Sequence, residues 1–126
     1  MKIQPDKSTV QSITGYGPGW IAVAGERIGT SVVVSSTGQR LAWDCRNFAD
    51  LTAGHFSLLA SLDAELVIFG SGSRIHFPPP AWLTPLMARR IGLETMDTPA
   101  ACRTYNILAG EGRIVVAALV IESSTQ

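Results

Sequence analysis

Glu65-Leu66-Val67-Ile68-Phe69-Gly70-Ser71-Gly72 and Leu93-Glu94-Thr95-Met96-Asp97-Thr98-Pro99 decide how this chain folds. In each, a short strand-forming run (65–69 and 93–97) leads directly into turn or helix-start residues. Between them Pro78-Pro79-Pro80 stops the chain and leads into a helix ending at Gly92, a residue suited to the position after a helix. Pro85 falls inside that span. Either the helix begins at Thr84-Pro85, as N-cap and first residue, or its first turn is irregular. Thr98-Pro99 then reads as N-cap and first residue of a second helix, which ends near Gly110-Glu111-Gly112. The apolar run within Arg113 to Ile121 has no polar alternation, so it predicts a strand buried on both faces and central in its sheet. Strand, helix, strand, helix, strand is an α/β pattern. The crossover from 65–69 to 93–97 is expected to be parallel and right-handed.

Upstream the rhythm differs. Thr9 to Ile13 alternates, Gly15 to Gly19 is turn-rich, and Trp20 to Ala24, Ser31 to Ser35 and Gln39 to Asp44 read as closely spaced strands. Such spacing predicts antiparallel hairpins. Asp50 is expected to cap a helix running to Leu62, with Leu51, Phe56, Leu58, Leu59 and Leu62 apolar. No repeat or linker divides the chain, so residues 1–126 are expected to form one domain, with frayed ends at 1–7 and 122–126.

Of 126 residues, 46% are hydrophobic, enough for a real core, and ten basic residues balance ten acidic ones. Zero formal charge removes any bulk electrostatic drive toward nucleic acid or an anionic membrane. No apolar run approaches the roughly 20 residues that span a bilayer, and the first residues lack the apolar stretch of a secretory signal. Two cysteines, Cys45 and Cys102, with two histidines make a poor zinc inventory, so no metal and no cofactor are expected. Both cysteines read as reduced thiols in a cytoplasmic protein.

If the strands at 65–69 and 93–97 run in parallel, Gly70-Ser71-Gly72 and Asp97-Thr98 share one rim, where ligands of open α/β sheets bind. The helix after Thr98 would offer unpaired N–H groups there, Asp97 could accept hydrogen bonds, and Arg74 could reach an anion. The glycine loop lacks a dinucleotide or P-loop pattern, and Asp97 and Thr98 also fit plain helix-start chemistry. Cys102 sits near the start of the helix beside Arg103, on the border between the core face (Ala101, Thr104, Tyr105, Leu108) and the outer face (Arg103, Asn106). It reads either as a thiol activated by the helix N-terminus or as a semi-buried packing residue. His76 is the one plausible base partner; His55 is more remote. Phe77 and Trp82 could form an exposed apolar patch, with Trp82 equally suited to the core. Arg89-Arg90 complement a helix C-terminus.

The C-terminal half, with Leu66 to Gly72, the three prolines, Ile91 to Leu108 and Glu111-Gly112-Arg113, resembles the domain-of-unknown-function family four-nine-eight, whose fold is called Mth nine-three-eight-like. The resemblance covers residues 65–121 closely, the run Met96 to Asn106 most specifically, and residues 8–62 only in strand layout. Ser71 stands where that family usually has threonine, and Pro99 where it often has alanine. The resemblance implies a three-layer α/β fold: a mixed central sheet with helices and an accessory antiparallel β layer from the N-terminal half. It further implies a last strand antiparallel to its neighbours. The family includes a mitochondrial assembly factor for respiratory complex I, which acts by binding other proteins, and it carries no established catalytic activity.

These readings favour a non-enzymatic binding or assembly module. It would dock a protein partner or a small anionic ligand at Gly70, Ser71, Gly72, Asp97 and Thr98, with Arg103 and Asn106 exposed alongside. The alternative is an enzyme with Cys102 as nucleophile, the helix N-terminus as oxyanion site, and Asp97 or His76 assisting. A third reading is a small-molecule sensor without chemistry.

Overall fold

A computed structural model describes residues 11–122. In chain order the elements are β1 (Ile13–Gly17), β2 (Trp20–Val23), β3 (Glu26–Ile28), β4 (Val32–Ser35), β5 (Arg40–Ala42), α1 (Ala53–Ala60), β6 (Leu66–Gly70), α2 (Thr84–Ala88), β7 (Gly92–Met96), α3 (Thr98–Gly110) and β8 (Val115–Leu119). The expected strand start at Thr9 and Val10 lies outside the described residues, as do the ends 1–7 and 123–126.

Five strands form a mixed sheet in the order β5-β4-β8-β6-β7, and β1-β2-β3 form a separate antiparallel sheet. The last strand is central, as its unbroken apolar run predicts. Its direction corrects what the resemblance implied: β8 is antiparallel to β4 but parallel to β6. The reason is α3, which carries the chain back along one face of the sheet, so that β8 starts at the same end as β6 and β7.

Two cores follow from the period-two alternation of strand side chains. Val32, Val34, Ile68, Val115, Ala117 and Leu119 face α3 and the small sheet, meeting Ile21, Val23, Ala101 and Tyr105. Val33, Val67, Phe69, Val116, Ala118 and Val120 face the other way, onto Phe56, Leu59, Leu86 and Trp43. Helices α1 and α2 thus cover one face, and α3 with the small sheet covers the other. Each fully buried large side chain contributes roughly 1.5–3 kcal/mol. Edge-to-face contacts add shape on the second face, with Phe56 and Trp43 lying 5.2 and 6.0 Å from Phe69.

Several local expectations shift by a residue or more. Asp50 does not cap α1: it ends a short 3-10 turn at Phe48–Asp50, where its carboxylate accepts from the Arg46 N–H at 2.8 Å. The cap is Thr52, whose N–H donates to His55 Nδ1 at 3.0 Å, while His55 Nε2 bonds the Asp44 carbonyl at 2.7 Å. Pro80–Leu83 is a 3-10 turn, and α2 begins at Thr84 with Pro85 in its first turn, one residue from the first reading because Leu83 rather than Thr84 is the N-cap. Gly92 does not end that helix. Arg90 takes the left-handed backbone position (φ 57°), and Gly92 opens β7 by donating its N–H to Glu65. Strand β3 is absent from the sequence reading because the turn before it contains Ala24 at φ 49°, a conformation alanine seldom adopts.

Candidate functional site

Strands β6 and β7 pair in parallel from Leu66–Gly92 to Gly70–Met96, so the loops that follow them do share one rim. They are laced together there. The Thr98 N–H donates to the Gly72 carbonyl at 2.8 Å, and the Gly72 N–H returns a bond to Thr98 Oγ1 at 2.9 Å. Thr98 Oγ1 in turn donates to the Val120 carbonyl at 2.8 Å, tying in the end of β8. Gly70 lets helix and strand approach closely: a Cβ there would stand 2.9 Å from Thr98 Cα and 3.0 Å from Ala101 Cβ.

This lacing changes what the expected site residues do. Ser71 is fully buried; its hydroxyl donates to the Arg74 carbonyl at 2.8 Å and accepts from the His76 N–H at 2.8 Å. It shapes its own loop and presents nothing outward. Asp97, not Thr98, is the N-cap of α3, accepting from the Ala100 N–H at 2.8 Å. With the Thr98 N–H engaged by Gly72, and Pro99 having none, the first turn of α3 lacks the free donors that an anion would need. Asn106 is not a free outer residue either. Its side chain accepts from the Ile13 N–H at 2.9 Å and donates to the Ile13 carbonyl at 2.7 Å, fastening β1 to α3. Arg103 is exposed as expected, and it donates to the Tyr16 hydroxyl at 2.8 Å.

Cys102 is buried completely, not at a border. Burial pushes its thiol up to about 12, and the Arg103 charge offsets only part of that rise. Burial and a raised thiol give no support to a nucleophilic role for Cys102. Nor is a base at hand. Cys102 belongs to the core on the α3 side, whereas His76 stacks on Phe48 at 5.0 Å, and Phe48 packs on the opposite core. His55 is occupied in the cap of α1. Trp82 packs partly buried against Phe56 at 5.7 Å, so of the expected apolar pair Phe77 is the exposed member. Arg89 caps the end of α1 rather than its own helix, donating to the Ala60 carbonyl at 2.7 Å.

Beside the laced rim lies a groove of about 540 Å³. The β1–β2 hairpin forms one wall with Tyr16, Pro18 and Ile21; Gly72, Pro99 and the segment Val120–Glu122 form the other. The lining is mainly apolar. Of the expected site residues, Gly72 and Thr98 border it, whereas Arg103 touches it only through Tyr16. Sequence reasoning missed the hairpin wall and Glu122, which it assigned to a frayed end. Glu122 is instead held, its Oε1 accepting from the Ser73 N–H at 3.1 Å. The signal for the wall was faint: Tyr16 and Ile21 are about 50 to 100 residues from their partners, and alternation in β1 and β2 predicts only which face each takes.

The model of the family described as "Protein of unknown function (DUF498/DUF598)" matches residues 13–120. The chain belongs to this family. It is 33% identical over 111 residues to the mouse NADH dehydrogenase [ubiquinone] 1 alpha subcomplex assembly factor 3, a match covering 86% of this chain and 59% of the mouse protein. It spans about half the length of the assembly factors it matches. Among solved structures, a Bordetella parapertussis protein superposes with a TM-score of 0.85 at 37% identity, covering 93% of this chain and 100% of that one. The Bordetella pertussis Mth938-like domain gives 0.81 at 31% identity, covering 99% and 95%. The three-layer fold is therefore the one the resemblance implied. Among the described residues, no helix is long and apolar enough to cross a membrane.

Proposed function

We propose that this chain is a non-catalytic docking module that assists assembly of a multi-subunit protein complex by holding a partner protein in the groove beside the rim. The observation that carries this reading is the state of the polar groups around the groove. Ser71, Thr98 and Asp97 spend their hydrogen bonds on the fold itself, which leaves a mainly apolar cleft between the β1–β2 hairpin and the laced rim. Kinship with complex I assembly factors supports a protein as the occupant and a respiratory complex as the setting.

The test uses affinity capture from the native host after mild crosslinking. Ser73→Trp places bulk in the groove lining, and Ile107→Trp places the same bulk on an exposed helix position outside it. With both variants folded by circular dichroism, wild type and Ile107→Trp should enrich the same partner, and Ser73→Trp should lose it. Equal enrichment by all three would remove the groove from the mechanism.

A further inference from the structure

We infer that the groove recognises a basic side chain of a partner protein, a lysine or arginine flanked by apolar residues, with Glu122 as its counter-ion; this rests on the docking reading above. Among the described residues Glu122 is the one charged side chain that lines the groove. Its carboxylate is positioned by the fold. Oε1 takes the Ser73 N–H at 3.1 Å, and Oε2 lies over Gly72, where a Cβ would stand 2.6 Å away. Gly72 is at φ 117°, a backbone conformation that side chains rarely adopt, so the space beneath Oε2 is kept open by the only residue suited to that conformation. Oε2 itself has no hydrogen-bond partner among the described residues.

Among the described residues no ion pair engages this carboxylate. Arg103 directs its guanidinium to the Tyr16 hydroxyl, and the Arg74 side chain is not part of the groove lining. The positive end of α3 is already matched by the Asp97 cap. An anion entering here would meet the carboxylate of Glu122. A lysine or arginine would lay its methylene stem along Ile21, Pro99 and Val120 and bring its charged head to Oε2. About 540 Å³ holds more than one such side chain, leaving room for apolar neighbours in the partner sequence.

The test is an amide-resolved NMR titration of the full chain with three capped tripeptide amides, leucyl-X-leucine, in which X is lysine, norleucine or glutamate. The lysine peptide should shift the amides of Gly72, Ser73 and Glu122 saturably. Norleucine should bind about tenfold more weakly, and glutamate should leave those amides still. Glu122→Gln should lower the lysine affinity by about the same factor without moving the norleucine affinity. Equal affinity for lysine and norleucine, an unaffected Glu122→Gln variant, or no response to any peptide would overturn the inference. So would shifts of the same amides on simple dilution, which would assign the groove to a second copy of the chain. Loss of capture by Ser73→Trp together with an indifferent Glu122→Gln would sink the charge rule alone; undiminished capture by Ser73→Trp would sink the docking reading beneath it.

Discussion

Thr98 and Gly72 exchange a pair of hydrogen bonds: the Thr98 N–H binds the Gly72 carbonyl, and the Gly72 N–H binds the Thr98 hydroxyl oxygen. The same hydroxyl donates to Val120, so one side chain joins the ends of β6, β8 and the start of α3. Removing that hydroxyl strands a buried donor and a buried acceptor. Thr98→Val, nearly the same shape, should therefore destabilise the chain by about 2–4 kcal/mol, and Thr98→Ser, which keeps the hydroxyl, should retain most of the stability. Urea unfolding with an unchanged slope is the measurement, and a Thr98→Val midpoint equal to wild type would show that the lacing contributes nothing.

Gly70 tests the closeness of α3 to the sheet. Gly70→Ala forces a methyl group against Thr98 Cα and Leu119 Cδ2, at 2.9 and 3.0 Å, and should cost about 1–3 kcal/mol. Gly110→Ala, at the end of α3 with nothing within 4 Å of the new methyl, should instead be neutral or gain about 0.5 kcal/mol. Thermal unfolding that ranks the two the other way round would contradict the packing described.

Alkaline pH tests the burial of Cys102. Its thiol rises from 9.0 to about 12 in the fold, so above pH 9 the unfolded chain gives up a proton that the folded chain keeps. The associated stability is whole below pH 9 and is lost as pH rises from 9 toward 12, at about 1.4 kcal/mol per pH unit. Tyr105, raised by burial, and Cys45, raised first by burial, act in the same sense. Cys102→Ala should make the decline shallower whatever it does to stability at neutral pH. Iodoacetamide should reach Cys102 only in unfolded protein; rapid labelling of the native chain would restore the nucleophile.

Asn106 tests the attachment of the small sheet. Asn106→Ala leaves both Ile13 backbone groups without their partner and should cost about 1–3 kcal/mol. Asn106→Asp keeps an acceptor for the Ile13 N–H but sets a carboxylate against the Ile13 carbonyl, so it should rescue only part. Hydrogen exchange at the Ile13 amide should quicken in both; unchanged protection would mean that β1 is held by packing alone.

Much of the architecture was legible in local pattern. The unbroken run in β8 announced a central strand, and the paired strand-to-turn segments announced β6, β7 and their common rim. Cap positions were less legible: Asp50, Thr52, Asp97 and Thr98 are all competent caps, and a shift of one residue changes the cap without changing the composition. The candidate site was legible in place but not in role. A serine, a threonine and an asparagine in a rim suggest ligand contacts, yet here Ser71, Thr98 and Asn106 bond to backbone within the fold.

The amino-acid order by itself determined most of the segments that become strands and helices, though not β3, and that two loops meet at one end of the sheet, because alternation and helix-start chemistry are properties of neighbouring residues. Only the tertiary structure decided that the rim's hydroxyls are consumed within the fold, that Cys102 is sealed, and that a hairpin from the far end of the chain faces Glu122 across a groove. Those outcomes depend on hydrogen bonds and burial between residues up to about 100 positions apart, and such contacts leave no periodic trace in the sequence.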